Sequence, residues 1–296
     1  MDMQLSRRLC RAEPRDRRLL DAINGRFEPL QELGTGAVMV VHLAQDKKTG
    51  DLVAIKRLKA DMLAKPDARY TMETEAKAIS LASHPGIPKP VACSLNEPDP
   101  YIAEEFKDGL TFNRNNIREP SEVLRAGIDV CGILSALHSA GIVHRDVKPQ
   151  NLILGLDKKS VSLIDYGFSI VPGMQDFAMR IDIAVGTPMF MAPEQTYPGV
   201  RVDHRVDIYS LAVILYSHLS GWYPYDTRNS GDMADEYIRA HRYQEAFLLH
   251  IRNPIFRPRL SLVIARALQK EPKRRFQHAE EFADALSDCL APYDTA

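Results

Sequence analysis

Eight consecutive residues, His144-Arg145-Asp146-Val147-Lys148-Pro149-Gln150-Asn151, set two oxygen donors, Asp146 and Asn151, beside two cations. Groups of that kind are costly to leave unpaired in an apolar setting, so the segment calls for a ligand or a network. A further carboxylate, Asp165 in Asp165-Tyr166-Gly167, follows the apolar run Val161-Ser162-Leu163-Ile164 and emerges from a strand end. Nearer the N-terminus, Gly34-Thr35-Gly36 follows Leu33, and Lys56 closes Val53-Ala54-Ile55-Lys56 after the next turn. Glycines in a strand-to-strand turn let backbone N–H groups approach phosphate oxygens with no Cβ in the way, and a lysine on a following strand can pair with the same phosphates. Taken alone, that pair is equally a hairpin with a surface lysine. Ala192-Pro193-Glu194 completes the set, and chance does not reproduce the order and spacing of all four.

The elements that must position these groups change character along the chain. Phe27 to Leu33, Val38 to Ala44 and Leu52 to Leu58 read as a meander of three strands, with the turn cluster Asp46-Lys47-Lys48-Thr49-Gly50 before the third. Residues 67–82 lack Gly and Pro and carry a helical pattern that His84-Pro85-Gly86 ends. Apolar runs near 89–95 and 101–106 complete a small sheet. Beyond Asp108-Gly109 the chain turns helical. Ser121 is the expected N-cap of a helix of about 20 residues in which Leu124, Ile128, Cys131, Leu134 and His138 repeat, and Gly141 is its stop. Further helices are expected near 205–220, 258–269 and 278–290. A strand-rich half joined to a helix-rich half predicts two lobes with a ligand cleft between them.

With these motifs the chain resembles the eukaryotic-type (Hanks-type) protein kinases from about Phe27 to Leu290, and the bacterial Ser/Thr members in particular. His144 to Asn151 matches the catalytic loop of that family, and a lysine two residues after the aspartate is its Ser/Thr pattern. Asp207-Ile208-Tyr209-Ser210-Leu211 and Lys270-Glu271-Pro272-Lys273-Arg274-Arg275-Phe276 also look like the family. The resemblance implies an α+β, bilobal fold with a small β-rich N-lobe (about 27–107) and a larger, mainly α-helical C-lobe (about 108–290), flanked by a basic extension, 1–26, and a tail, 291–296. It implies transfer of the γ-phosphoryl group of ATP, with Mg2+ or else Mn2+, to Ser/Thr hydroxyls of a protein substrate that can include the chain itself.

Residue by residue, Asp146 would take the hydroxyl proton, Lys148 would stabilise the transferring phosphoryl, and Asp165 and Asn151 would hold the metal. Lys56 would hold the α- and β-phosphates, fixed by Glu75, with Glu73 as the competing candidate. Gly34, Thr35 and Gly36 would cover the phosphates. Leu33, Val41 and Ala54 above and Ile153 below would enclose the adenine, while Glu105 and Lys107 offer it a carbonyl and an N–H. Glu194 would pair with Arg275, and His144 and Asp207 would be scaffold. The different-class alternative is a pseudokinase, a nucleotide-binding scaffold without phosphoryl transfer.

Three positions and one segment depart from the family pattern. Met39 stands where a third glycine is usual, and altered ATP affinity is expected from it. Glu104 occupies a normally apolar position behind the adenine and must find a neighbour, since an unpaired buried carboxylate costs several kcal/mol. Tyr166 replaces the usual phenylalanine, its ring filling the same slot. The segment from Asp165 to Glu194 offers only Ser169 and Thr187 as Ser/Thr hydroxyls, and Thr187 matches the threonine that contacts Asp146 and Lys148. Asp182 or Asp176 is therefore expected to pair with Arg145 in place of a loop phosphate.

Composition agrees with a folded enzyme. Across 296 residues, 38 Lys+Arg balance 39 Asp+Glu for a net charge of -1, without the basic excess of a nucleic-acid binder. The balance hides a net +3 over residues 1–26, which hold seven arginines; the remainder sums to -4. That extension has no apolar core of a secretory signal, and Val206 to Leu219, the most apolar stretch, is shorter than a bilayer span of about 20 residues. Cys10, Cys93, Cys131 and Cys289 form no CxxC pair, and Cys93 and Cys131 sit among apolar neighbours, which points to reduced thiols in the cytoplasm. The arginines of 226–257, Arg228, Arg239, Arg242 and Arg252, read as a solvated helical face. Oligomeric state is not legible.

Overall fold

Short apolar runs separated by turn residues become five antiparallel strands in the computed structural model, which describes residues 25–96, 99–227 and 233–294, with side chains to 290. They are β1 (Phe27–Thr35), β2 (Met39–Asp46), β3 (Leu52–Leu58), β4 (Pro90–Ser94) and β5 (Tyr101–Glu105), in the order β1-β2-β3-β5-β4. Side chains alternate across β3. Val53 and Ile55 join Phe27, Ala44 and Ala103 in one apolar cluster, and Ala54 and Lys56 occupy the opposite face. Helix α1 (Pro66–Leu81) buries Ala68, Met72, Glu75, Ala78 and Ile79 along a single stripe, as a 3.6-residue period requires. The sheet and α1 up to Ser80 form one compact unit; residues 81–87 and 107 onward form a second.

In the second unit the long helix α2 (Pro120–Ser139) begins one residue earlier than its expected cap. Glu119 is the N-cap and Pro120 takes the first turn, where its fixed φ suits the helix and its missing N–H costs nothing; Ser121 lies inside. The stop is as read: Gly141 adopts φ +74°, and the N–H groups of Gly141 and Ile142 return to the carbonyls of His138 and Leu137. Strands β6 (Leu110–Thr111), β7 (Leu152–Leu154) and β8 (Val161–Leu163) form a small antiparallel sheet beside it.

The remaining helices are α3 (Phe177–Ile181), α4 (Arg205–Ser220), α5 (Met233–Tyr243), α6 (Leu249–Arg252), α7 (Pro258–Ala267) and α8 (Ala279–Asp294). Helix α4 is buried from Val206 to Tyr216, and α2 packs against both α4 and α8. A helix apolar on every side is a core element, and no helix among the described residues is long and apolar enough to cross a membrane.

Several expectations need correction or fall outside the described residues. Cys93 is exposed, because it sits on edge strand β4, whereas Cys131 and Cys289 are buried; Cys10 and residues 1–24 of the extension are not described. The arginines of 226–257 are not simply a solvated face. Arg242 of α5 donates to Thr196 Oγ1 at 2.7 Å and stacks on the Tyr197 ring, and Arg252 stacks on Phe247. Arg228 is not described.

Candidate active site

In the strand-rich unit the register lines up the sequence motifs. Gly34 lies opposite Val41, and Val41 opposite Lys56, so the glycine turn and the lysine share one row across three strands. The next row holds Leu43, Ala54 and Glu104. Gly36 N–H closes the turn on Met39 O at 2.8 Å, and Leu33, Gly34 and Thr35 are exposed. A Cβ added at Gly34 would meet nothing within 4 Å, and at Gly36 only Met39 O at 3.5 Å. The chain's own packing therefore does not demand glycine at either place, as a turn kept open for close approach of a ligand would have it.

Lys56 is buried, and its ammonium pairs with both Glu75 of α1 and, at 2.8 Å, Glu104 of β5. Of the two candidate glutamates on α1, Glu73 is exposed and Glu75 fully buried, because only position 75 shares the stripe that faces the sheet. Glu105 N–H bonds Lys89 O at 2.8 Å, which ties the end of β5 to the residue just before β4.

In the helical unit, α4 holds the loop after α2. Asp207, fully buried, accepts from the backbone N–H of His144 at 2.9 Å and of Arg145 at 2.8 Å, and from His138 Nε2 at 2.9 Å. Burial alone would raise its carboxyl, but the His138 hydrogen bond and the neighbouring imidazoles bring it below the ordinary value. Arg145, held this way, takes φ +69°, an uncommon conformation that persists because its own N–H and that of His144 are fixed. His144 is fully buried, and desolvation lowers its pKa; its Nδ1 faces the N–H of Asp146, so Nε2 carries the proton toward Ile164 O.

Asp146 then projects into a compact network. Its Oδ1 accepts from Thr187 Oγ1 at 2.7 Å and its Oδ2 from Lys148 Nζ at 2.5 Å, and Lys148 also reaches Thr187 Oγ1 at 3.2 Å. Asn151 donates through Nδ2 to Asp146 O at 2.9 Å, leaving its amide oxygen as a donor for a cation. Asp165 follows β8 with φ +70° and is exposed, while its neighbour Tyr166 is fully buried and bonds Leu163 O at 2.8 Å. Ile153 lies on β7, and Lys107 bonds Pro85 O through Nζ at 2.9 Å. No cluster of three or more His, Cys, Asp or Glu able to hold a metal exists among the described residues. Asn151 and Asp165 carry oxygen donors of the kind that would suit a small hard cation.

Two contacts around Arg145 lay beyond sequence reading. Gln195 Nε2 donates to Arg145 O at 2.8 Å and so ties the loop to the segment before α4. Gly186, φ +127°, passes Arg145 O so closely that a Cβ would lie 2.9 Å from it. Asp176 accepts from Arg145 Nη1 at 2.5 Å and from Ala178 N–H at 2.9 Å, and so neutralises the arginine while capping α3. Asp182, the other candidate, is instead the left-handed end of α3. Glu194 and Arg275 pair through two bonds, at 2.6 and 2.7 Å, with Arg275 fully buried.

A sequence model of the protein kinase domain matches residues 27–287 of this chain. The chain belongs to the protein kinase family. The kinase Pkn1 of Myxococcus xanthus is 32% identical over 274 residues, covering 91% of this chain and 39% of that protein. A probable serine/threonine-protein kinase of Streptomyces coelicolor is 31% identical over 277 residues, 90% of this chain and 40% of its own. PknB of Mycolicibacterium smegmatis is 30% identical over 268 residues, 88% of this chain and 42% of its own. The chain thus spans about two fifths of the length of these relatives.

The kinase domain also buries His241 of α5, whose Nδ1 meets Tyr209 OH at 2.8 Å and whose Nε2 meets Tyr223 OH and, at 3.0 Å, Met189 O. Burial lowers its pKa to about 3. Its unfolded value is near 6.5, so between about 6.5 and 3 the unfolded chain binds a proton that the folded chain does not. The stability from His241, and from His144, which burial also depresses, is full above pH 6.5 and is lost as the pH falls below it. Urea midpoints are expected to fall from about pH 7.5 to about pH 5, and His241→Gln to flatten that slope by one proton. An unchanged slope in the variant would mean that His241 is charged in the fold.

Proposed function

We propose that the chain is a serine/threonine-protein kinase that transfers the γ-phosphoryl group of ATP to Ser/Thr hydroxyls of protein substrates. The observation that carries this reading is the bonding of Asp146, whose carboxylate is fixed by Lys148 and Thr187 beside Asn151. Phosphoryl transfer asks the protein chiefly for positioning and charge neutralisation, and these residue types supply both. Asp146 orients the substrate hydroxyl and takes its proton. Lys148 neutralises charge on the transferring group, and Lys56, steadied by Glu75, holds the α- and β-phosphates. Asp165 and Asn151 would hold Mg2+, or Mn2+ in its place, and the bound cation would screen phosphate charge. Gly34, Thr35 and Gly36 lend backbone N–H groups; Leu33, Val41, Ala54 and Ile153 supply apolar walls, and Glu105 and Lys107 backbone groups, for the adenine. The alternative of an inactive scaffold has no observation in its favour, since Lys56, Asp146, Asn151 and Asp165 are all in place. The described cysteines are unpaired, which supports a reducing, cytoplasmic setting. Transfer of label from γ-labelled ATP to a protein hydroxyl tests the reading.

The Arg145–Asp176 pair supports activity without a phosphate on the segment between Asp165 and Glu194. A carboxylate supplies part of a phosphate's charge, and this one is also locked as a helix cap. Phosphatase-treated protein is expected to keep its rate, and Asp176→Asn to lower kcat by about tenfold through a loosened loop. A segment phosphate, found by mass spectrometry and required for activity, contradicts this.

A further inference from the structure

Lys56, Glu75 and Glu104 form a buried cluster of one cation and two carboxylates, with relative exposures of 6%, 0% and 2%. The two carboxylates come from different elements. Glu75 is delivered by α1, whereas Glu104 is delivered by the sheet, because it lies directly opposite Ala54 and therefore diagonal to Lys56 on the same face. Its contact with the ammonium, Oε1 to Nζ at 2.8 Å, spans adjacent strands held in register from Val53 to Arg57. Glu104 Oε2 is buried without a hydrogen-bond partner among the described residues. Pairing Lys56 with Glu75 already balances the lysine. The second carboxylate adds nothing that the pair lacks, and in a poorly screened interior it opposes any further anion brought to the same ammonium.

We propose that Glu104 is a positioning residue that sets nucleotide affinity: it shares the Lys56 ammonium with Glu75 and so weakens its hold on the phosphates. The inference rests on the reading of Lys56 as the phosphate ligand. Its consequence is specific to charge, since it weakens ATP and ADP binding and leaves adenosine, which has no phosphate, almost untouched. A merely structural role would move all three together.

The test is calorimetric titration of the protein with ATP, ADP and adenosine in the presence of Mg2+, for wild type, Glu104→Gln and Glu104→Met. Both variants keep the Lys56–Glu75 pair, and adenosine binding reports that the unit is folded. ATP and ADP are expected to bind about tenfold tighter to both variants, with adenosine within about twofold of wild type. ATP binding unchanged or weaker in both variants, or adenosine tightened as much as ATP, overturns the inference. Lys56→Met separates the two readings. If it leaves ATP affinity at the wild-type value, the assignment of Lys56 fails and the role of Glu104 fails with it. If it weakens ATP while the Glu104 variants do not tighten it, only the role of Glu104 fails. Should Lys56→Met lose adenosine binding, Lys56→Met/Glu104→Met removes the second orphaned carboxylate and is compared instead.

Discussion

Asp146→Asn is expected to lower kcat on the order of 10^3-fold while ATP still binds with wild-type strength. The carboxylate has two roles, and asparagine keeps only one. As a hydrogen-bond acceptor it gathers Thr187 Oγ1 and Lys148 Nζ, and an amide oxygen can retain one of those bonds. As the proposed base it would receive the hydroxyl proton, which an amide cannot do. The loop itself is held from elsewhere, by Asp207 through the N–H groups of His144 and Arg145 and by Asn151 through the Asp146 carbonyl, so the backbone remains in place. The split between kcat and KM is therefore diagnostic. A variant that loses ATP affinity and rate together would indicate that Asp146 shapes the site and performs no chemistry. Steady-state kinetics beside direct ATP titration distinguish the outcomes.

Glu194→Ala is expected to destabilise the helical unit by about 3 kcal/mol, at the lower end of the usual cost of removing one partner from a buried ion pair. The reason is Arg275, which is fully buried. Its five N–H donors meet five acceptors: both oxygens of Glu194 and the carbonyls of Gln269, Arg205 and Lys270. The carbonyls remain in the variant, but they bring no charge. Arg275 also lies over the Tyr209 ring at 4.8 Å, so a displaced guanidinium disturbs the core of α4, which carries Asp207. Thermal unfolding is expected to shift down by roughly 10 °C, and Glu194→Gln, which keeps the shape and loses the charge, to fall between the two. A shift of less than about 2 °C for Glu194→Ala would mean that the pair is replaceable by solvent.

How far the sequence spoke for itself depended on the range of the interactions involved. Strands β1 to β3, helices α1, α2, α4, α7 and α8 and the Gly141 stop were legible because periodicity and turn chemistry are local. Asp146, Asn151, Asp165 and Lys56 stood out as candidates by residue type and order, and their roles stand as proposed. The two-residue strand β6 and the short helix α3 offer too few residues for a period, and the bounds of α5 were submerged in a polar stretch read only as a solvated helical face. Partners set by tertiary contact were harder to see. Nothing in the sequence around Gln195 or Gly186 signals that each meets Arg145 O. Asp176 could be narrowed to one of two acids, and only the cap of α3 decides between them. Glu104 was legible as an anomaly that needs a partner, but the partner is set by the register of β3 on β5.

Phosphoryl transfer from this chain to Ser/Thr hydroxyls is tested most directly by incubating the purified protein with γ-labelled ATP and Mg2+ and a general protein substrate, then identifying the labelled amino acids. Phosphoserine or phosphothreonine is expected from the wild type, lost when the metal is chelated and lost in Asp165→Asn. ATP bound tightly with no label transferred, or equal label from wild type and Asp165→Asn, would contradict it.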